Sequence, residues 1–486
     1  MIKITKLFSL TLLFLLITEI SFSQTVYTWN GSVNSNFSAA GNWTPFRQIG
    51  LITDILVFEN GTTLNVTNVY QVTIGQMIVR NNTGLILSPA TGNAKLVTIK
   101  GSTGEDLVIE AGSSLKISGN DPALNFYIGT GATAQINGLL TFEGQIAHYI
   151  NSADAMAIRF KNGAVFSQNC PGSIFSNTGV NNTAVFEGGS TFKINHINAA
   201  DPFGLNAPGT KILFEEASSL QLCNINSIHL NGRNFANLTI EPGASVNIIE
   251  AFSSDLHISN LTVKENAVLN LKNTNTAYTP SVYLSGNVNI NGTFKFAEET
   301  SNKFNIVFNG INTQNISGNG VILIPSNLNR FELKNTISLH RALTVNCPVT
   351  INRYEIITNG FNFTFNPEYG NPFNGSKTVN SGNGPTESSH ISTINSNIPS
   401  EFSISQNYPN PFNPETKIDF SLPVDSKVNI KVYDITGKSV AELINGNYSA
   451  GTHTVNFNGS NLSSGIYFYT ITAGSYIKTN KMILNK

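Results

Sequence analysis

Charged side chains are scarce in this sequence. Asp, Glu, Lys and Arg make up 12% of its 486 residues, about half their usual share in globular proteins. The 28 basic and 29 acidic side chains leave a net charge of −1, and no basic run stands out. Nucleic-acid binding depends on clustered Lys and Arg that neutralise phosphates. We therefore expect no nucleic-acid partner.

Cysteine is almost absent. The chain contains only Cys170, Cys223 and Cys347, and an odd number at wide spacing is not a disulfide framework. No Cys-x-x-Cys pair or Cys/His cluster has the ligand spacing of a zinc site. We expect each cysteine to be a small buried apolar residue, and we expect neither a metal nor another cofactor.

Long apolar runs are absent beyond the N-terminus. Two lysines precede an apolar run over residues 7–17, and Ser21 and Ser23 are small residues before Gln24. This order is typical of a secretory signal peptide, so we predict that residues 1–23 are cleaved. A single membrane anchor is the alternative, but the apolar run is too short to span a bilayer comfortably.

Residues 50–365 repeat one pattern, in which an alternating apolar run is followed by a polar corner and a second alternating run. LVIEAGSSLKIS, AVFEGGSTFKIN and LTIEPGASVNII are examples. Alternation with period two is the signature of β-strands, and Gly or Asn tolerates the positive φ of tight bends. The corners recur at irregular intervals of about 25 residues, which indicates a stacked repeat. They fall at Gly163, Gly189, Ala217, Gly243, Asn266 and Gly292.

The repeat predicts an all-β fold in which residues 50–365 form a parallel β-helix, or β-solenoid. One strand-corner-strand unit cannot bury its apolar face alone, whereas stacked coils share a continuous core. About 13 coils spaced by roughly 4.8 Å would make a rod of ~60 Å. The alternative is a series of β-sandwiches, which would show blocks of about 100 residues separated by linkers. No such breaks occur before residue 366.

Asparagine is unusually abundant in the sequence, and this abundance fits a stacked fold. In a solenoid each residue lies over its counterpart in the next coil, so stacked like charges would repel. Asn, Ser and Thr can hydrogen-bond from one coil to the next, as Asn ladders do in other stacked β structures.

Residues 24–49 are predicted to cap the N-terminal end of the solenoid. The stretch YTWNGSVNSNFSAAGNWTP contains both tryptophans, Trp29 and Trp43. Terminal coils of solenoids are atypical because they cover an open core, so Trp29, Phe37 and Trp43 can plug that end. The alternative is a platform on which Trp29 and Trp43 stack against sugar rings. The stretch resembles the N-terminal caps of bacterial secreted β-helix adhesins.

The alternation is lost over residues 366–400, where Gly, Asn, Ser and Pro dominate. We predict a flexible linker there. Alternation returns in residues 401–486 as several short runs around Gly-rich turns. This pattern predicts a small C-terminal β-sandwich of antiparallel strands.

The C-terminal segment resembles the type A C-terminal sorting domain of the type IX secretion system. The matching pieces are NYPNPFNP, VNIKVYDITGKSV, SGIYFYTI and TNKMILNK, in this order, although Phe457 stands where the family usually has Trp. The motif residues are Tyr408, Pro409, Asn410, Pro411, Phe412, Asn413, Pro414, Tyr433, Asp434, Gly437, Lys438, Gly465, Tyr467 and Lys481.

The resemblance implies a secreted or cell-surface protein. It implies Sec export, passage of the folded protein across the outer membrane by the type IX translocon and its sorting machinery, and frequent removal of the sorting domain. Prolines fix φ and lack an amide donor. We therefore expect 409–414 to enter the sandwich as a rigid extended segment that cannot add to a sheet.

An enzymatic passenger is considered because parallel β-helices also host polysaccharide lyases and glycoside hydrolases. Glycoside hydrolysis requires two carboxylates that flank the sugar. Two adjacent glutamate pairs in residues 50–365 are Glu215-Glu216 and Glu298-Glu299. Neighbouring residues of a strand point to opposite faces, so neither pair converges unless it lies in a loop.

The remaining catalytic candidate is a row of histidines. His196, His229 and His257 follow one another at intervals of roughly 30 residues, which is close to one coil each. In register they would stack on the outer face, near Asp255 and Arg233, and could bind a metal or transfer protons. The alternative is that they are unrelated surface residues, because three histidines without a carboxylate shell are not a site.

We therefore hold three hypotheses. The first is a non-catalytic, adhesin-like or structural protein whose polar face contacts polysaccharide or another cell-surface component. The second is a polysaccharide lyase or glycoside hydrolase on the same scaffold. The third is a self-assembling surface-layer component, which exposed solenoid edges or ends would support.

Overall fold

The computed structural model describes residues 24–365, 368 and 402–486, apart from short gaps within them. The gaps are 49, 102–103, 177, 200–201, 204–208, 227, 300, 352–353, 355, 424–425, 449–450 and 475. The predicted signal peptide and nearly all of the predicted linker lie outside the described residues. Strands dominate, and a short 3₁₀ helix spans Ala40–Asn42. In this part of the chain, no helix has the length and apolar character needed to cross a membrane.

The N-terminal half of the solenoid consists of short strands. They are β1 (Thr25–Trp29), β2 (Trp43–Thr44), β3 (Asp54–Phe58), β4 (Thr63–Val69), β5 (Val72–Ile74), β6 (Gln76–Val79), β7 (Gly84–Pro89), β8 (Lys95–Ile99), β9 (Leu107–Ile109), β10 (Ser114–Ser118), β11 (Leu124–Ile128), β12 (Ala134–Ile136), β13 (Leu139–Glu143), β14 (Ile150–Ser152), β15 (Ile158–Phe160), β16 (Val165–Asn169), β17 (Ala184–Phe186) and β18 (Thr191–Ile194).

The C-terminal half continues in the same style. Its strands are β19 (Ile212–Phe214), β20 (Ser219–Leu222), β21 (Asn234–Ile240), β22 (Ser245–Glu250), β23 (Leu256–Val263), β24 (Val268–Asn273), β25 (Ser281–Leu284), β26 (Val288–Ile290), β27 (Thr293–Phe296), β28 (Asn305–Phe308), β29 (Gln314–Ser317), β30 (Val321–Leu323), β31 (Arg330–Leu333), β32 (Ile337–Leu339), β33 (Leu343–Val345), β34 (Val349–Ile351), β35 (Ile356–Ile357) and β36 (Phe363–Phe365).

Successive coils pair in parallel, which confirms the predicted β-solenoid. Apart from the antiparallel pair β1–β2, the described solenoid strands pair with parallel neighbours from adjacent coils. One inward column runs through about 12 coils. Its members are Leu64, Leu85, Leu115, Leu140, Phe166, Phe192, Leu220, Leu238, Leu261, Val288, Ile316 and Leu339.

The corners bend where the sequence places them. Gly163, Gly189, Gly243 and Asn266 have φ of 83°, 83°, 79° and 61°, and Ala217 has φ of 64°. In each of these turns the amide of the fourth residue donates to the carbonyl of the first, as from Ala164 to Lys161 at 2.8 Å. The positive φ at the third position explains the preference for Gly or Asn.

Gly292 is a corner of a different kind. It lies in the two-residue turn between β26 and β27. A Cβ there would lie 2.2 Å from the carbonyl oxygen of Ala267 and 2.3 Å from that of Lys264. Glycine is therefore required by the close approach of the preceding coil and not by positive φ.

The core is a stack of apolar columns. Phe160, Phe186 and Phe214 occupy the same position in three successive coils. The ring of Phe186 stacks on that of Phe160 at a centroid distance of 4.3 Å and on that of Phe214 at 5.3 Å. Cys170 and Cys347 are buried in this core and Cys223 is half-buried; all three are free thiols.

Polar groups on the outside are also paired from coil to coil. Asn270 Nδ2 donates to Asn247 Oδ1 at 3.1 Å, as predicted for an amide ladder. Several charged side chains pair with an opposite charge on a neighbouring coil: Glu187 Oε1 lies 2.6 Å from Arg159 Nε and 2.8 Å from Lys161 Nζ. Desolvation acts to raise the pKa of Glu187, but hydrogen bonds and charge from Lys161 and Arg159 together outweigh it and hold that pKa below its usual value.

The C-terminal domain consists of seven antiparallel strands. They are β37 (Ser403–Ile404), β38 (Glu415–Leu422), β39 (Ser426–Tyr433), β40 (Ser439–Tyr448), β41 (Gly451–Asn458), β42 (Gly465–Ala473) and β43 (Tyr476–Leu484). One sheet has the order β37-β38-β41 and the other β40-β39-β42-β43. Their inner faces share a separate apolar core, which confirms a small antiparallel domain that follows the solenoid in the chain.

Replacing Phe186 by alanine is expected to lower the free energy of unfolding by about 3–5 kcal/mol, because it removes a fully buried ring and leaves a cavity. The matched control is Leu213→Ala on β19, where the side chain is 38% exposed and we expect a loss of roughly 0.5 kcal/mol or less. Denaturant unfolding of the full chain, followed by tryptophan fluorescence, measures both. Equal losses in the two variants would contradict the stacked core.

Candidate functional site

The two tryptophans lie inside the N-terminal cap. Trp29 and Trp43 are 4% and 2% exposed, and their rings meet edge to face at a centroid distance of 5.0 Å. Trp43 also packs against Phe37, and its Nε1 donates to the Phe37 carbonyl at 3.1 Å. Neither ring offers an exposed face on which a sugar could stack, because the first coil needs both rings to close its core.

A buried ion pair that the sequence analysis did not single out supports this cap. Arg47 Nε lies 2.8 Å from Asp54 Oδ2, and both side chains are almost fully buried. The guanidinium also lies 5.3 Å from the ring centroid of Trp43, within range of a cation–π contact. No sequence motif marks the pair, since it joins a loop to the start of β3.

The three predicted histidines do not form a row. His257 pairs in register with Asn234 and Tyr283, on the outer side of β23. His196 lies just beyond the end of β18, in a different column, and His229 lies in the loop before β21. The prediction of one stacked row is therefore wrong. The cause is a variable coil length: Ser219 pairs with Asn237, so this coil is much shorter than the average of about 25 residues.

His257 instead belongs to a small cluster on its own face. Its ring stacks on that of Tyr283 at a centroid distance of 4.6 Å and an interplanar angle of 11°. Asp255 Oδ1 accepts hydrogen bonds from Tyr278 Oη at 3.0 Å and from the Ser281 amide at 2.7 Å. The backbone carbonyl of Arg233, a residue also predicted nearby, accepts from the His257 amide at 3.0 Å.

The electrostatics of this cluster favour the neutral forms of His257 and Tyr278. Desolvation lowers the pKa of His257, although Asp255 acts in the opposite direction. Burial, and then the hydrogen bond to Asp255, raise the pKa of Tyr278. Such a group could accept a proton or a hydrogen bond, but the described residues bring a single carboxylate to it.

One glutamate of each adjacent pair forms an ion pair. Glu215 Oε1 lies 3.5 Å from Arg159 Nη2, and Glu299 Oε1 lies 2.6 Å from Lys272 Nζ. Among the described residues, no group of three or more His, Cys, Asp or Glu side chains could hold a metal ion.

A regular set of uncharged side chains lies on the outer surface of four consecutive coils, and we call it the polar array. It consists of Asn237, Thr239, Asn260, Thr262, Asn287, Asn289, Asn315 and Ser317. The residues between them, such as Leu238 and Leu261, point inward and are buried. The array side chains therefore all point outward, and each is half-buried or exposed.

Hydrogen bonds fix one column of the polar array. Asn260 Nδ2 donates to Asn237 Oδ1 at 2.9 Å. The backbone amide of Asn287 donates to Asn260 Oδ1, and that of Asn315 donates to Asn287 Oδ1, each at 2.8 Å. The hydroxyls of Thr239 and Thr262 have no hydrogen-bond partner among the described residues, so they are available to a ligand.

In the C-terminal domain, the proline-rich segment covers an edge of a sheet. β43 is the outer strand of its sheet. The Phe412 amide donates to the Ile483 carbonyl at 2.9 Å, and the Asn485 amide donates to the Phe412 carbonyl at 3.0 Å. Asn410 Oδ1 accepts from the Ile483 amide at 2.9 Å. This corrects the expectation that 409–414 cannot add to a sheet, because Phe412 retains the amide that its proline neighbours lack.

A buried polar hub holds the start of this segment. Tyr469 Oη accepts from the Asn407 amide at 2.8 Å and donates to the Ser405 carbonyl at 2.6 Å. Asn407 Nδ2 and Thr416 Oγ1 both donate to the Pro409 carbonyl, at 3.0 and 2.8 Å. No local sequence signal marks Tyr469 or Thr416, because their roles depend on contacts between distant strands.

The other motif residues are dispersed over the domain. Asp434 Oδ1 accepts from the Thr436 hydroxyl at 2.6 Å and from two amides of its own turn, which lowers the pKa of Asp434. Gly437 has φ of 82° there. Tyr467 Oη donates to the Ser463 carbonyl at 2.8 Å. The motif residues with exposed positions are Tyr408, Pro409, Pro411, Asn413, Gly437, Lys438, Gly465 and Lys481, whereas Asn410, Pro414 and Tyr433 are half-buried.

Comparison with known proteins places only the C-terminal domain. Residues 406–485 match the family model described as secretion system C-terminal sorting domain. No curated protein matches the chain, and no solved structure matches it. The match confirms the type IX sorting domain predicted from the sequence, and it indicates a secreted cargo whose passenger is the β-solenoid.

Replacing Tyr469 by phenylalanine is expected to loosen the junction between the proline-rich segment and β42. The Asn407 amide and the Ser405 carbonyl would lose a buried partner, at a cost of about 1–3 kcal/mol. Hydrogen exchange of the full chain, read over residues 402–486, should show faster exchange at the Asn407 amide and along the β43 edge.

Tyr408→Phe is the matched control, because the Tyr408 side chain is 82% exposed. It should leave the exchange pattern unchanged. Equal effects of the two substitutions on hydrogen exchange would contradict the role of the buried hub as the anchor of the proline-rich segment.

Proposed function

We propose that this type IX secretion cargo is a non-catalytic, adhesin-like or structural protein that acts outside the cell. One observation carries the proposal: the chain joins a sorting domain to a solenoid whose outer polar groups form coil-to-coil ladders. The Asn ladder of the polar array and the Arg159–Glu187 ion pair are examples. Such a surface repeats one contact over many coils instead of concentrating reactive groups at one place.

The arrangement of carboxylates supports a non-catalytic role. Glycoside hydrolysis uses two carboxyl groups on either side of the scissile bond, one of which is protonated. Glu215 lies in an ion pair with Arg159, and Glu299 lies in one with Lys272. Each of these carboxylates therefore contacts a cation and, in the described part of the chain, is not paired with a second carboxylate across a cleft. Among the described residues, Asp255 lies in the His257 cluster without a second carboxylate beside it.

The alternative function is a polysaccharide-degrading enzyme, a lyase or glycoside hydrolase. The His257 cluster is the observation that favours it, since an imidazole with a lowered pKa lies near a carboxylate and two tyrosines. A lyase needs a base that removes a proton, and neutral His257 has the chemistry for that step.

Each segment has a proposed role in the export of the protein. Residues 1–23 direct it to Sec export and are removed, and the sorting domain presents residues 24–365 to the type IX translocon and its sorting machinery. The passenger then remains at the cell surface or is released, where polysaccharide or another surface component is the proposed partner. The resemblance of 27–45 to caps of secreted adhesins supports this proposal.

The test measures retention and turnover together. The purified full chain is incubated with neutral and acidic polysaccharides, and bound protein and released reducing or unsaturated ends are quantified. We expect retention by at least one polysaccharide and no released products.

Products that disappear in His257→Ala and persist in the control His196→Ala would establish the enzymatic alternative. If the protein is not retained and no products are released, the result would contradict the adhesive role and favour a structural component of the cell surface.

A further inference from the structure

The polar array has the properties of a binding surface for an extended, uncharged ligand. Resting on the proposed function, we propose that the polar array binds neutral polysaccharide chains that lie along the solenoid axis. The contacts would be hydrogen bonds from the eight array side chains to sugar hydroxyls.

The polar array is geometrically regular. The array has two columns, with Asn237, Asn260, Asn287 and Asn315 in one, and each member lies one coil from the next. Coils repeat at about 4.8 Å, and the two columns are separated by two residues of a strand, or roughly 6.6 Å. A ligand that matches this grid must itself repeat, as a polysaccharide does.

The side chains of the polar array are uncharged. None of its eight side chains is ionisable. The corner groups that follow its first two coils, Glu241 and Lys264, form an ion pair at 2.7 Å, and at the fourth coil the ring of His340 contacts the array, with Nε2 3.3 Å from Asn315 Oδ1. An anionic glycan would find no cation in the array to offset its desolvation. The array therefore selects for hydroxyl-rich neutral chains.

Hydrogen bonds within the protein order the polar array before any ligand binds. Asn260 donates from Nδ2 to Asn237 Oδ1 and accepts at Oδ1 from the Asn287 backbone amide. These bonds fix the orientation of the side-chain amides of the ladder. Fixed side chains lose little conformational entropy when they bind. The hydroxyls of Thr239 and Thr262, which lack partners among the described residues, both donate and accept. This matches the mixed hydrogen bonding of sugar hydroxyls.

The strength of binding should depend on the length of the ligand. A single solvent-exposed hydrogen bond contributes only a small part of the affinity, so one sugar would bind weakly. A chain that spans several coils makes its later contacts intramolecularly, which raises the overall affinity.

The experiment uses the purified full chain and isothermal titration. The probes are soluble β-glucan, mannan and xylan, their oligosaccharides of increasing length, and acidic alginate. We expect at least one neutral glycan to bind, with affinity that rises with length, and no binding of alginate. Thr239→Val with Thr262→Val keeps β-branched side chains and removes two hydroxyls, and it should weaken binding roughly tenfold.

The matched control is Thr73→Val with Thr98→Val, two threonines that also pair between adjacent coils but belong to strands β5 and β8. The control should bind like the wild type. Equal binding by both double variants, or no binding of any neutral glycan, would overturn the assignment of the array. Thermal hysteresis that depends on the array, without glycan binding, would assign the surface to ice and would also overturn it.

The proposed function fails separately. Release of reducing or unsaturated ends from the bound glycan would contradict the non-catalytic role, whichever residues bind. Glycan binding that survives the array substitutions would leave the adhesive role intact and refute only the array as its site.

Discussion

Parallel pairing between successive coils, residue above equivalent residue, is the constraint on which this molecule depends. It places Phe160, Phe186 and Phe214 in one buried stack. It also places Asn237 and Asn260 within hydrogen-bond distance on the outside. Because side chains of a strand alternate between faces, the same register that builds the apolar core also builds the outer polar columns. Core and surface therefore cannot be changed independently.

This constraint explains the unusual composition. A charge on one coil lies close to its counterparts above and below, so isolated like charges would repel. The chain meets this condition with few charges and by stacking opposite signs, as Lys161 and Glu187 do. Side-chain amides and hydroxyls do not repel one another when stacked, so they can occupy the same position in successive coils. The neutral face that results suits an extended contact better than a concentrated active site.

The sequence predicted the repeat because period-two alternation and Gly or Asn corners are local signals. The corners with positive φ at Gly163 and Asn266 lie where the repeat pattern predicts them. The prediction failed for the histidines, since the short coil between Ser219 and Asn237 breaks the average spacing. The Tyr469 hub and the buried Arg47–Asp54 pair were missed because each joins segments whose proximity is decided by tertiary packing.

The most direct test of coil stacking is the deletion of one coil. Leu238 pairs with Leu261, so removal of residues 238–260 joins Asn237 to Leu261 in register, whereas removal of 238–259 shifts every later strand by one residue. Circular dichroism and the fluorescence of Trp29 and Trp43 report folding of the two full-chain variants. The account predicts a folded protein after the first deletion and disrupted coils after the second. Equal tolerance of both deletions would contradict register as the basis of the fold.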